Sequence, residues 1–151
     1  MEIVERVIKQ SMSATSLSDN GSEALWFAAR QPGIVKYLES RCEDQDALGV
    51  AMLATLTMYD AFVRTLGHAP PRLASQALER AEARVVAEVQ LGGPSGFAQR
   101  QRGLSHFIAD VLASPPMPLG EAELNRLAVV LATMVDALDG AAFPAEIRPG
   151  A

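Results

Sequence analysis

Cysteine occurs once in the 151 residues, as Cys42, and histidine twice, as His68 and His106. A single thiol excludes an internal disulfide framework and a thiolate zinc cluster. The histidines form no Glu-x-x-His pair, no His-x-x-x-His and no HExxH, so di-iron and zinc-hydrolase chemistry has no ligand set. No metal and no cofactor is expected. Aromatic residues make up only 5%, fewer than a β-sandwich core uses. Lysine occurs twice against eleven arginines, and the net charge is −5. That balance excludes a surface built to ride on nucleic-acid phosphates, and no nucleic-acid partner is expected. The apolar stretches Ala47–Tyr59 and Leu127–Val135 fall short of the ~18–20 residues that cross a bilayer. MEIVERVIKQ carries acids among its first residues and lacks the apolar core of a secretory signal. The expectations are therefore a cytoplasmic protein and no membrane contact. No Val/Ile/Thr run alternates with period two, and no internal repeat is read.

What is present is apolar and helical. Apolar residues reach 49% and charged residues 21%, which excludes disorder for the bulk of the chain. A chain of this length buries roughly 70% of its unfolded surface, enough for one core. Alanine occurs 25 times, and with the arginine excess this matches the coding bias of a GC-rich bacterial genome. The fold class expected is all-α: a single-domain bundle of about four longer helices plus two or three short N-terminal ones. Residues 1–22 read as a short helix over 2–12 followed by a serine-rich linker, with Ser22 as an N-cap. Residues 23–140 read as the bundle, and 141–151 as an extended tail.

Within the bundle, Glu23–Arg30 is one short helix. Pro32 opens the next, which runs to about Arg41. Acids at 43, 44 and 46 favour the start of a helix that stops at Gly67. Leu73, Ala77, Leu78, Ala81, Val85 and Val89 form the stripe of an amphipathic helix over 71–91. Residues 97–113 read as one helix weakened in its middle by Gly103. Residues 120–139 form the last long helix, closed by Gly140.

Two helices are apolar almost all round. Between Ala47 and Val63 the polar positions are Thr55, Thr57 and Asp60; between Leu127 and Leu138 they are Thr133 and Asp136. A surface helix shows a stripe only about 100° wide, so these are buried on several sides. Ala47, Ala51 and Thr55, and likewise Ala128, Ala132 and Asp136, keep a small-residue ridge for close packing. One such helix suits a bundle of this size; two suggest a second subunit. A two-fold homodimer is expected, with a protein partner as the wider class, and Met52, Leu56, Val130 and Met134 are the interface candidates.

Candidate chemistry is sparse. Asp60 and Arg64 stand four apart, the spacing of a helix ion pair, with Asp60 as general base in the functional alternative. His106 and Asp110 have the same spacing, which would let a carboxylate orient an imidazole. Cys42 beside Arg41 reads as a passive thiol. Gly92-Gly93-Pro94-Ser95-Gly96 is a turn rather than a phosphate loop, and Arg100-Gln101-Arg102 is a weak DNA-reading candidate. Trp26, Tyr37 and Tyr59, with Asp60, Arg64 and His106, are the candidates for a small apolar-ligand pocket. Three function classes follow in order: a non-enzymatic contact protein, an apolar-ligand module, and an enzyme using Asp60 or His106/Asp110. No catalytic residue is assigned.

Overall fold

The structure, a computed structural model, describes residues 1–17, 20–92 and 96–144. They form eight helices and, among the described residues, no strand: α1 (Glu5–Leu17), α2 (Asn20–Arg30), α3 (Pro32–Arg41), α4 (Gln45–Leu66), α5 (Ser75–Leu91), α6 (Gly96–Arg100), α7 (Arg102–Ala113) and α8 (Glu121–Ala142). The all-α class holds. Local chemistry sets the clearest ends. The Asp44 carboxylate accepts the Ala47 N–H at 2.9 Å and caps α4, while Gly67 closes it in the left-handed region at φ 80°. Pro32 occupies the first turn of α3.

Several boundaries depart from the sequence expectations. The serine-rich run is helical over 11–17 and 20–22, not a linker; Ser18 and Asp19 lie outside the described residues. Its polar side chains turn inward: Thr15 Oγ1 shares a 2.9 Å hydrogen bond with Thr57 Oγ1, and Ser11 is fully buried. Ser22 therefore lies inside α2. The helix expected over 97–113 is two, parted at Gln101. The last helix runs through Gly140 to Ala142, because Phe143 packs beyond it against Phe62 at a ring distance of 6.2 Å. Residues 145–151 of the expected tail lie outside the described residues.

The eight helices are two copies of one four-helix unit, which corrects the reading of no internal repeat. Phe27-Ala28-Ala29-Arg30-Gln31-Pro32-Gly33-Ile34 recurs seventy residues on as Phe97-Ala98-Gln99-Arg100-Gln101-Arg102-Gly103-Leu104. Tyr37-Leu38 then matches Phe107-Ile108. In the fourth helix Thr57-Met58-Tyr59-Asp60-Ala61-Phe62 matches Thr133-Met134-Val135-Asp136-Ala137-Leu138, displaced by the longer linker between α7 and α8. Burial repeats as well: Ile3, Ile8, Ser11 and Thr15 are buried where Leu73, Leu78, Ala81 and Val85 are. Thus α1–α4 correspond to α5–α8. The first helix of each half packs on its own fourth, the third packs on the other half's first, and α4 and α8 pack together at the centre.

The repeated glutamine explains how the halves lock. Gln31 Oε1 accepts the Leu73 N–H at 2.9 Å and Gln31 Nε2 donates to the Pro71 carbonyl at 3.0 Å. Gln101 Oε1 accepts the Ile3 N–H at 2.8 Å and its Nε2 donates to the Met1 carbonyl at 2.7 Å. Each buried side chain stands between two helices and pairs the backbone segment entering the opposite half, which satisfies the Leu73 and Ile3 N–H groups that burial would otherwise leave unpaired. The glycine two residues on permits the approach. A Cβ at Gly33 would stand 2.5 Å from the Leu73 carbonyl oxygen, and one at Gly103 3.0 Å from that of Ile3.

Among the described residues α4 alone is long and apolar enough to cross a membrane, and 61% of that stretch is buried inside the chain, as in the core helix of a folded protein.

Candidate functional site

The two halves differ most where α4 and α8 meet their neighbours. Beside α8, Glu82 of α5 accepts a hydrogen bond from the Tyr37 hydroxyl at 2.5 Å and two from Arg41, at 2.7 and 3.0 Å. The Arg41 guanidinium also lies 4.9 Å over the Tyr37 ring. This is a closed polar plug. Arg41 hydrogen-bonded to the Glu82 carboxyl holds it below the usual carboxylate range. Burial, then Glu82, pushes the Tyr37 hydroxyl above the usual tyrosine range.

These shifts set two limbs of the stability profile. A depressed carboxyl contributes stability above its ordinary value near ~4.3 that is lost as pH falls through the lower folded value. A raised phenol contributes stability that is lost as pH rises past its ordinary value near ~10. In urea unfolding across pH, Glu82→Gln is expected to flatten the acid limb and Tyr37→Phe the alkaline one. An acid limb unchanged in Glu82→Gln would show that the plug does not set it.

Beside α4 the corresponding positions are Met12 of α1 and Phe107 and Val111 of α7, and the place is open. They border an apolar hollow of about 200 Å³ that reaches Val50, Leu53 and Pro116. A second hollow of about 320 Å³ adjoins it, walled by Phe27, Gly49, Met52, Leu56 and Met117 and sharing Val50, Leu53 and Pro116. No charged side chain lines either one. Leu53, 41% exposed, stands as a ridge between them. Met12 and Met117 are exposed on the flanks. Contiguous exposed apolar surface of this kind marks an interaction site, and thioethers make it adaptable.

The sequence candidates scatter. Trp26 and Tyr59 do meet, edge to face at 5.9 Å, and Phe27 joins Tyr59 at 5.0 Å. Tyr37 is not with them; it belongs to the plug on α8. Asp60 accepts a hydrogen bond from Arg64 Nε at 2.6 Å and is the helix ion pair. His106 is exposed and faces Glu5, 3.5 Å away, while Asp110 borders the same shallow surface. Met52 and Leu56 are half-buried on the hollow's wall. Val130 and Met134, also expected at an interface, are 1% and 0% exposed and belong to this chain's own core. The small ridges of both helices face inward: Ala47, Ala51 and Thr55 of α4 are buried, as are Ala132 and Asp136 of α8.

The remaining motifs are engaged within the fold. Arg100 donates from Nε to Asp139 Oδ2 at 2.8 Å and from Nη2 to Asp136 Oδ1 at 3.1 Å, and Arg84 holds the other Asp136 oxygen at 2.8 Å. Gln101 is buried, and Arg102 is exposed and pairs with Glu2. Cys42 is buried, which pushes its thiol up against the opposing charge of Arg126. Gly93, Pro94 and Ser95 of the glycine turn lie outside the described residues; the Gly96 N–H donates to the Glu88 carboxylate at 3.1 Å. No group of three metal-ligating side chains occurs among the described residues.

The sequence reading did not place Met12, Leu53, Phe107, Val111, Pro116 and Met117 at a site. The signal that could have found three of them is the repeat, which aligns Met12, Phe107 and Val111 with Glu82, Tyr37 and Arg41. Compared with known protein families, with curated proteins and with solved structures, the chain matches none.

Proposed function

We propose that the protein acts by contact, taking the apolar side of a protein partner onto α4 and its two hollows. The observation that carries this is the difference between the halves. The fold closes the α8 side with Tyr37, Arg41 and Glu82, so an open hollow is not imposed by the architecture. On the α4 side the same three positions hold Met12, Phe107 and Val111 and leave the hollow accessible. The lone buried thiol and the Ala/Arg bias support a cytoplasmic setting in a bacterium.

The halves supply their own test. Met12→Glu, Phe107→Tyr and Val111→Arg together transplant the plug to the open side beside α4. Helicity is expected to persist, while binding of a fluorescent apolar dye and any mass beyond the 16.1 kDa chain in light scattering are lost. Dye binding and mass equal to wild type would overturn the reading.

A second reading is favoured by the larger hollow. Its volume of about 320 Å³ falls at the lower end of the roughly 300–1,000 Å³ of small-molecule sites. A small apolar molecule is then the occupant, and native mass spectrometry would find it bound to wild type and absent from the triple variant.

A further inference from the structure

Resting on that contact reading, we infer that the partner is a second copy of this chain, seated antiparallel across α4 about a two-fold axis between Met52 and Leu53. Gly49, Met52, Leu53 and Leu56 recur at the three- and four-residue spacing of a helix seam, and none of them is fully buried. The seam is self-complementary. Leu53 is a ridge with a hollow on either side, so the two-fold brings each copy's ridge to the other's hollow. The same register sets Leu56 of one copy opposite Gly49 of the other, where a Cβ would meet nothing within 4 Å. The hole is as deep as a glycine leaves it, two helical turns from the side chain that fills it.

Charge favours the same direction. The N-terminal end of α4 exposes Glu43, Asp44 and Asp46, and its C-terminal end carries exposed Arg64 and His68. Antiparallel seating keeps the two acidic N-terminal ends apart, at opposite ends of the contact, with Arg64 engaged by Asp60 of its own helix. Parallel seating would set Asp46 against Asp46. The contact also closes on itself. The positions of α8 that correspond to the seam are Asn125, Ala128, Val129 and Ala132, with no leucine or methionine among them and Ala132 buried, so α8 does not repeat the ridge of Leu53.

Sedimentation equilibrium of the full chain tests this over a wide concentration range. The expected result is a species of twice 16.1 kDa that dissociates on dilution. Leu53→Glu should weaken it at least a hundredfold. Gly49→Leu, which adds no charge and meets open space within its own chain, should weaken it at least tenfold by filling the hole. Mild oxidation of Leu53→Cys should cross-link the pair near the axis, whereas Arg80→Cys on the outer face of α5 should not. A dimer indifferent to Leu53→Glu and Gly49→Leu overturns the inference, since the copies then meet elsewhere. A wild-type monomer that still binds apolar dye, lost in the triple plug variant, overturns the second copy and leaves the contact reading standing. A monomer that binds no dye overturns both.

Discussion

Arg100→Met is expected to destabilise the fold by about 3–5 kcal/mol, the cost of breaking a buried ion pair by removing one partner. Arg100 joins two carboxylates of α8, and their side chains are only 10% and 2% exposed for Asp136 and Asp139. Without it Asp136 keeps Arg84 and Asp139 keeps the Gln101 amide. A carboxylate that loses its guanidinium in that position gives up a counter-charge without regaining water. Arg84→Met should cost about 1 kcal/mol or less, because the Arg84 side chain is 56% exposed and surface pairs are weak. The repeat supplies a control. Arg30 occupies the position of Arg100 in the first half, lies 5.2 Å over the Trp26 ring and is exposed, so Arg30→Met should cost about 1 kcal/mol. Urea unfolding midpoints decide the matter. Adding Asp139→Leu to Arg100→Met should recover part of the loss, since an apolar replacement removes the stranded charge. A loss below about 1 kcal/mol for Arg100→Met would show that water reaches Asp139 and that the network is peripheral.

The same comparison shows what the sequence could disclose. Helix class, the acid-marked start of α4 (though not its cap by Asp44 in particular), the Gly67 stop and the Pro32 start were legible because each rests on local geometry. The serine-rich run over 11–17 was not, because turn propensity there is overridden by the Thr15–Thr57 hydrogen bond and by burial of Ser11, both made by packing on α4. The break at Gln101 was hidden for a related reason. Its cause lies a hundred positions away in the Met1–Ile3 backbone, which no local pattern can report. Gly140 failed as a stop because Phe143 finds Phe62 beyond it. The apolar face of α4 was visible in composition, and Met52 and Leu56 do lie on it. Which of the two apolar helices kept an open face depended on whether Met12 or Glu82 stood beside it, and only alignment of the halves makes those residues equivalents. That equivalence was available in the sequence, in Phe-Ala-x-Arg-Gln-x-Gly and Thr-Met-x-Asp-Ala, but it is spread over two offsets and a linker of different length.

Gln101→Leu is expected to cost about 2–6 kcal/mol and Gln31→Leu about 1–3 kcal/mol, at about 1–3 kcal/mol for each buried polar group left unpaired, the Ile3 N–H and Asp139 in the first and the Leu73 N–H in the second. Leucine matches glutamine in volume closely enough that packing contributes little, so the loss reads on the hydrogen bonds. In Gln31→Leu the Leu73 N–H and the Pro71 carbonyl lose their partner. In Gln101→Leu the Ile3 N–H and the Met1 carbonyl do, and Asp139 loses its amide donor as well, which makes this the more damaging of the two. The clamps cross between halves, and that gives a signature a general loss of stability lacks. Gln31 sits in the first half and holds the entry to α5; Gln101 sits in the second and holds the entry to α1. Amide hydrogen exchange should therefore speed up at Leu73 in Gln31→Leu and at Ile3 in Gln101→Leu, each in the half that does not carry the substitution, by more than the change in global unfolding accounts for. Exchange that accelerates uniformly along the chain, with no excess at Ile3 or Leu73, would show that the glutamines fill space rather than hold backbone. Excess protection lost at both sites would establish that the two halves are held together reciprocally, so that the open face of α4 is carried on a frame neither half can form alone.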